Sequence, residues 1–212
     1  MTAAASHGIR GRDVIGIRHG ITILPELPWR ESAPMWRAAE DMGFDHAWTY
    51  DHLVWGGLGT FVSSPNYRHP YTFARDVLTL DDVSGGRFLC GLGTGGDLDA
   101  RILGEERTLK QRVDRFHEFV PLLDRLLRED RVDHEGAWYS ARGARTLPGP
   151  VRHRVPLLVA ANGPRSIRLA ATLGDGWITY GGRGDTLDEW FAHVGGLATR
   201  FSDAADAAGR GP

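Results

Sequence analysis

The pattern of apolar and polar positions divides the chain into short strand-like runs and longer runs with helical periodicity. The two kinds of run alternate along the sequence. The strand-like runs are rich in β-branched and aromatic residues and predict six strands, at residues 14–24, 45–50, 58–63, 87–92, 155–161 and 176–180. The longest helical run repeats apolar residues at steps of three and four between Val113 and Leu127, with Pro121 expected to kink it. Because strands and helices alternate, the pattern predicts parallel strands joined by helical crossovers.

Capping residues indicate where several helices begin and end. Ser32 is a predicted N-cap with Pro34 in the first helical turn, and Gly43 is the expected end of that helix. Thr186 and Glu189 have the spacing of a capping box, which predicts the start of the last helix.

Polar and glycine-rich residues follow several predicted strands at their carboxyl ends. They are Asp51-His52, Arg68-His69-Pro70 and the glycine run from Gly91 to Gly96. The carboxyl ends of parallel strands are where a β/α barrel builds its active site. The glycine run also fits G-x-G-x-x-G, but the region about 20 residues further on is helical, which excludes a dinucleotide-binding interpretation.

Four motifs in order resemble those of the luciferase-like flavin-dependent monooxygenases and reductases. They are Asp51-His52, Arg68-His69-Pro70, the stretch at residues 80–88, and the segments at 161–164 and 171–177. The resemblance covers residues 15–180 and implies an α/β fold of the (β/α)8 TIM-barrel type, complete or incomplete. Strands seven and eight are not seen. The second helix is also not seen, because six residues between His52 and Gly59 are too few for a crossover. Since an open barrel would leave unpaired edges, we favour the interpretation that segments are missing from the sequence.

The resemblance implies roles for residues near the second, third and fourth predicted strands. His52 would be the catalytic base, since an imidazole titrates near operating pH; alternatively it caps a strand end. Phe61 and Val62 would flank a non-prolyl cis peptide that supports a flavin ring; alternatively this is a plain strand. Gly93 and Thr94 would lie on a loop that approaches the flavin closely.

A predicted anion site begins the helix after the fifth strand. Pro164 occupies the first helical position, so the next backbone N–H groups have no acceptor within the helix. The resemblance favours cofactor phosphate there over a simple helix start. The residues expected to contact the cofactor are Asn162, Gly163, Arg165 and Ser166. Arg112 matches a family position that reaches the phosphate; alternatively it lies on a solvated helix face. His69 is expected to cap a helix.

Composition limits the classes of function. Hydrophobic residues make up 42% and charged residues 25% of the 212 residues, and the net charge is −2 with no basic face for nucleic acid. No apolar run is long enough to span a bilayer. The single cysteine, Cys90, forms no intrachain disulfide and fits a reducing compartment, so we expect a cytoplasmic protein.

Residues 1–13 are an expected flexible leader before one barrel domain at 14–212. No metal site is expected, because Pro121 replaces the second histidine of H-E-x-x-H.

The resemblance implies a flavin-dependent oxidoreductase that acts on a small organic substrate. It would use reduced FMN and O₂, or a deazaflavin coenzyme for hydride transfer. The Arg-, Ala- and Gly-rich composition is typical of high-GC bacteria, in which deazaflavins occur. An alternative is a non-catalytic, shortened relative that binds a flavin or another small ligand. A purely structural protein is the third alternative. Burial of apolar surface by self-association predicts a homodimer.

Overall fold

The structure is a computed structural model that describes residues 18–24, 26–49, 62–147, 149–151, 154–182 and 184–210. The chain divides into two compact units, residues 1–49 and residues 50–212.

The first unit contains two parallel strands and the helix between them. They are β1 (Gly20–Thr22), α1 (Trp29–Asp41) and β2 (His46–Trp48), and Gly20 lies opposite His46 in the ladder. The prediction that Ser32 caps α1 was wrong. Its backbone N–H donates to Pro28 O (3.0 Å), so the helix begins a turn earlier, and Ser32 lies inside it. Gly43 follows the helix with φ of 80°, as its predicted role as a helix end requires.

The second unit contains five helices and five strands among the described residues, together with a 3₁₀ turn at Pro65–Tyr67. The helices are α2 (Pro70–Val83), α3 (Asp97–Ile102), α4 (Leu109–Arg128), α5 (Pro164–Leu173) and α6 (Leu187–Ala207). The strands are β3 (Cys90–Leu92), β4 (Val132–Glu135), β5 (Ser140–Ala144), β6 (Leu157–Ala160) and β7 (Gly176–Ile178).

A parallel sheet in the order β3–β6–β7 positions the candidate site. Ser63 adds a parallel bridge to Leu92, on the side of β3 away from β6. Of the third predicted strand, 58–63, only residues 62 and 63 lie in the described part of the chain. Because all these segments run in the same direction, their carboxyl ends meet at one edge, as the alternation of elements predicted.

Helix α4 supplies the centre of the core of this unit. Phe116, Phe119 and Leu123 are completely buried within one cluster that includes residues of α2, β3, β6 and α5. Core side chains recur at steps of three and four, which is the periodicity read from the sequence. Pro121 lies inside α4, and the kink expected there remains a prediction.

An antiparallel hairpin, β4–β5, interrupts the parallel pattern and was not predicted from the sequence. The Glu118 side chain on α4 forms hydrogen bonds to the turn of this hairpin. Its carboxylate accepts the backbone N–H groups of Ala137 (3.0 Å), Trp138 (3.1 Å) and Tyr139 (2.8 Å). The hairpin therefore depends on a contact between residues about twenty positions apart, which short-range patterns do not reveal.

The motif at residues 80–88 has a structural role away from the carboxyl edge. Asp81 is completely buried and its Oδ2 accepts the backbone N–H of Val151 at 2.8 Å. The Ser84 side chain donates to Asp81 O (3.1 Å) and accepts the backbone N–H of Arg87 (3.2 Å). These bonds fix the turn between α2 and β3, at the amino end of the strand.

Candidate active site

The carboxyl edge of the sheet brings together residues from four neighbouring segments: residues 62 and 63, β3, β6 and β7. Ser63 N donates to Gly91 O (2.8 Å) and Gly93 N donates to Ser63 O (2.9 Å), which places Val62 beside Gly93. Asn162 and Thr179 follow β6 and β7 at the same edge. The structure therefore gathers Val62, Gly93 and Asn162 in the way that the predicted strand order required.

The glycines after β3 are needed for close packing of the chain on itself. A Cβ atom on Gly93 would lie 2.5 Å from Val62 Cγ2, so no larger side chain fits between these segments. Gly95 has φ of 75°, and a Cβ there would overlap the Ser64 side chain. Thr94 is half-buried between the two glycines. The loop therefore packs directly against Val62 and Ser64. The contact of Gly93 and Thr94 with a flavin remains a prediction.

Helix α5 begins at the carboxyl end of β6 as the sequence predicted. Its first backbone bond runs from Ile167 N to Gly163 O (2.9 Å), so the N–H groups of Arg165 and Ser166 precede the helical ladder. Gly163 is exposed, and a Cβ there would meet nothing within 4 Å. The open space beside Gly163 and the N–H groups of Arg165 and Ser166 lie at the same helix start. Both features suit an anionic group such as a phosphate.

The Arg165 side chain reaches across to α4. Its Nη1 lies 2.7 Å from Asp114 Oδ1, while Lys110 Nζ lies 2.7 Å from Asp114 Oδ2. Hydrogen bonds from Lys110 and then from Arg165 hold the pKa of the Asp114 carboxyl below its usual range. Asp114 is therefore ionised at neutral pH, and it accepts a hydrogen bond from one nitrogen of the Arg165 guanidinium. Sequence reasoning missed Asp114, because no local pattern distinguishes it from other helix carboxylates.

Arg112 is buried, which makes the alternative of a solvated helix face wrong. It is 9% exposed, pairs with Asp97 and donates to Arg107 O at 2.9 Å. Its Nε is buried without a hydrogen-bond partner among the described residues. The two partners, Asp97 and Arg107, lie at the start of α3 and just before the start of α4. A buried donor without an acceptor suits an anion, and the contact of Arg112 with phosphate remains a prediction.

Asn162 uses its side chain to join two loops. Its Nδ2 donates to Gly181 O (2.9 Å), and its Oδ1 accepts the Thr179 hydroxyl (2.9 Å). The Gly181 N–H in turn donates to Thr179 Oγ1 (3.0 Å). Sequence reasoning missed Thr179; its place at the end of a predicted strand was the one available signal.

The pKa values of two histidines of the second unit are lowered for reasons visible in the structure. The His69 side chain caps α2 by accepting Tyr71 N–H (3.2 Å), as predicted, and burial followed by the charge of Arg115 lowers its pKa. Burial and then the charge of Arg165 lower the pKa of His117, whose Nε2 is buried without a partner in the described part of the chain. His52 and Phe61 lie outside the described residues.

The described residues contain neither a cluster of metal-ligating side chains nor a helix suited to span a membrane. Within residues 18–210, apart from the undescribed gaps, no three or more histidine, cysteine, aspartate or glutamate side chains cluster as a metal site would require. None of the helices in the described part of the chain has the length and apolar character to cross a membrane.

Comparison with known proteins identifies close likenesses. The F420-dependent glucose-6-phosphate dehydrogenase of Beutenbergia cavernae is 35% identical over 175 residues, covering 70% of this chain and 52% of that protein. The 5,10-methylenetetrahydromethanopterin reductase of Archaeoglobus fulgidus is 29% identical over 178 residues, covering 76% and 52%. The chain thus spans about half the length of these curated relatives.

The likeness extends to solved structures. The monooxygenase RslO1 from Streptomyces bottropensis superposes with a TM-score of 0.77 at 26% identity, over 92% of this chain and 68% of that one. The fold is therefore of the β/α TIM-barrel type, as predicted. The model of the luciferase-like monooxygenase family matches residues 57–210. Because this match covers most of the chain, the chain belongs to the luciferase-like monooxygenase family.

Proposed function

We propose that the protein is an oxidoreductase that uses a flavin-type cofactor on a small organic substrate. Hydride transfer with a deazaflavin coenzyme is the first choice, since relatives from Beutenbergia cavernae and Microbacterium testaceum are F420-dependent dehydrogenases. Oxygenation with reduced FMN and O₂ is the second, supported by the likeness to the monooxygenase RslO1.

The observation that carries this proposal is the start of α5 at the carboxyl edge of the sheet. The N–H groups of Arg165 and Ser166 precede the helical ladder, and the space beside Gly163 is open. A phosphate group would accept these N–H groups and gain from the helix dipole. The guanidinium of Arg165, in the first turn of this helix, adds a positive donor. Arg112, which the family resemblance also assigns to the phosphate, has a buried Nε without a partner among the described residues. This donor set fits the phosphate that FMN and deazaflavin coenzymes carry.

Other residues at the edge would surround the ring of the cofactor. Val62, Gly93 and Thr94 form a compact wall between the third-strand segment and β3. When bound, a deazaflavin would accept a hydride from the substrate, whereas reduced FMN would provide the electrons that reduce O₂. His52 would transfer the proton, a role that rests on the family resemblance alone.

A binding titration followed by turnover tests the proposal. Purified protein is titrated with F420 and, separately, with FMN, and the absorbance change of the ring gives each Kd. Turnover is then measured with F420 and glucose 6-phosphate, the substrate named for several relatives, and with a panel of alcohols. Binding of neither cofactor would end the proposal. Binding without turnover of any substrate would favour the non-catalytic alternative.

A substitution at His52 tests the proton-transfer role. His52→Ala is expected to lower kcat about 10²–10⁴-fold, the usual effect of losing a general acid or base, and to leave the cofactor Kd nearly unchanged. Turnover equal to that of the wild type would make His52 structural. Loss of cofactor binding would place the ring closer to the second predicted strand.

A further inference from the structure

We infer that Asn162 and Thr179 are positioning residues, which hold the backbone at Gly181 and Gly182 as a second wall of the cofactor site. The inference rests on the proposed function for its last step. We call the three hydrogen-bonded residues Asn162, Thr179 and Gly181 the clasp. The clasp itself is a set of contacts in the protein and does not depend on any ligand.

The clasp continues the β6–β7 ladder beyond the point where strand pairing ends. The last backbone bond between these segments runs from Ala161 N to Ile178 O (3.0 Å). The next residues, Asn162 and Thr179, pair through their side chains at 2.9 Å. Asn162 Nδ2 then reaches Gly181 O at 2.9 Å, one loop further. The two chain segments therefore stay together where they would otherwise separate.

Helix α6 fixes the same loop from its other side. Gly181 has φ of 85°, and a Cβ there would overlap the indole of Trp190. A Cβ on Gly182 would overlap the imidazole of His193. The backbone at Gly181 and Gly182 therefore lies close to both α6 and the clasp. This close approach explains why consecutive glycines occupy the loop.

The clasp couples this loop to the start of α5. Asn162 directly precedes Gly163, the N-cap residue beside which the phosphate is proposed to lie. Both heavy atoms of its amide that can form hydrogen bonds are engaged in the clasp. Asn162 was predicted to contact the cofactor itself. The geometry points instead to an indirect effect, in which Asn162 sets the distance between the Gly181 backbone and the open helix start.

Two substitutions at Thr179 separate the hydroxyl from the shape of the side chain. Thr179→Val keeps the branched shape and removes the bonds to Asn162 Oδ1 and Gly181 N–H, whereas Thr179→Ser keeps the hydroxyl. Thr199→Val is the matched control, since Thr199 is an exposed threonine of α6 whose hydroxyl donates to Gly195 O (3.1 Å). All three are measured in the full chain, first without ligand and then with the cofactor that the wild type binds.

Hydrogen exchange of the Gly181 amide is the first readout. Thr179→Val should raise its exchange rate about fivefold or more, because the amide loses its acceptor, while Thr179→Ser and Thr199→Val stay near the wild type. The Kd for F420 or FMN is the second readout, expected to rise about threefold or more in Thr179→Val alone, because a loosened wall must be ordered on binding.

Each contrary result has a distinct meaning. If Thr179→Val leaves the exchange rate of the Gly181 amide unchanged, the hydrogen bonds of the clasp do not hold this loop, and the inference is wrong. Raised exchange with an unchanged Kd shows that the loop is outside the cofactor site and overturns the positioning role. If the wild type binds neither cofactor, the proposed function fails and takes the positioning role with it, whereas the exchange data still decide whether the clasp exists.

Discussion

The contact between Arg165 and Asp114 shows how one neighbour changes the meaning of a predicted binding residue. The sequence places Arg165 in the first turn of α5, and the structure confirms that position. Asp114, ionised and also paired with Lys110, lies 2.7 Å from its guanidinium. The Arg165 side chain is 47% exposed, so this pair is screened by solvent and contributes little to stability. Arg165 can therefore turn towards a ligand at small cost.

Reversing the charge at this position should weaken binding of a phosphorylated cofactor. Arg165→Glu is expected to raise the Kd for FMN by several-fold or more, because a carboxylate would face the phosphate beside the helix start. Riboflavin has the same ring without the phosphate, and its Kd should change far less. Titration calorimetry of both ligands measures the contrast. The matched control is Arg200→Glu, an exposed arginine on α6.

If Arg165→Glu changes the Kd for FMN and the Kd for riboflavin equally, the phosphate does not lie at the start of α5. An unchanged FMN affinity in Arg165→Glu would have the same consequence. A large effect of Arg200→Glu would indicate that long-range charge, rather than a local contact, governs binding.

Among the elements, the β4–β5 hairpin depends on one carboxylate of another element. Burial alone would raise the pKa of Glu118. The N–H groups of Tyr139, His134 and Trp138 outweigh it, so its pKa lies below the usual value of 4.5. Glu118 therefore binds fewer protons in the folded protein than in the unfolded chain. Its contribution to stability is present above about pH 4.5 and is lost as the pH falls through the folded-state value.

Removing this charge should destabilise the protein in a pH-dependent way. Glu118→Gln is expected to lower the free energy of unfolding at pH 7 by about 1–3 kcal/mol, since an amide N–H₂ would face backbone donors in the turn. The difference from the wild type should shrink as the pH falls below about 4.5, where protonation removes the same charge from the wild type. Thermal unfolding over a pH series measures it. Glu135→Gln, an exposed carboxylate of the same hairpin, should change little. A difference between Glu118→Gln and the wild type that is constant with pH would contradict the mechanism.

Helix α4 offers a second test at the level of elements. Phe116 is completely buried at the centre of the core, whereas Leu109 in the first turn is 64% exposed. Phe116→Ala should cost about 3–5 kcal/mol, because it removes buried apolar surface and leaves a cavity. Leu109→Ala should stay within about 0.5 kcal/mol. Denaturant unfolding with an unchanged slope measures both. Similar values for the two variants would mean that α4 is not the centre of the core.

For the molecule as a whole, the expected homodimer can be tested at two exposed apolar side chains of α6. Leu187 and Phe191 lie four residues apart on α6, are 74% and 62% exposed, and so share one face of that helix. Exposed apolar side chains that share a helix face can form part of an interface between two copies of the chain. We expect a homodimer, which light scattering at micromolar concentration would report as a mass near twice 23.3 kDa. Leu187→Glu combined with Phe191→Glu should shift the mass towards the monomer if this face is the interface. A monomer mass for the wild type would contradict the prediction.

Features that depend on a few neighbouring residues were determined by the sequence itself. The cap of α2 at His69, the start of α5 at Gly163–Pro164 and the capping box at Thr186 all appear where predicted. Each is set by hydrogen bonds that span no more than one helical turn, so the local order of residues suffices. The same reason explains why parallel strands with helical crossovers, and the family motifs, could be read directly.

Only the tertiary structure decided which distant residues meet. The burial of Arg112, the pairing of Arg165 with Asp114 and the hairpin on Glu118 join positions 15 to 51 residues apart. The clasp joins Asn162 to residues 17 and 19 positions later. Such contacts arise because helices and strands already fixed by packing bring these side chains together. The sequence by itself therefore determined the alternation of parallel strands and helices and the edge at which a site would lie. The tertiary structure decided the β4–β5 hairpin, which side chains lie at that edge and what each one contacts.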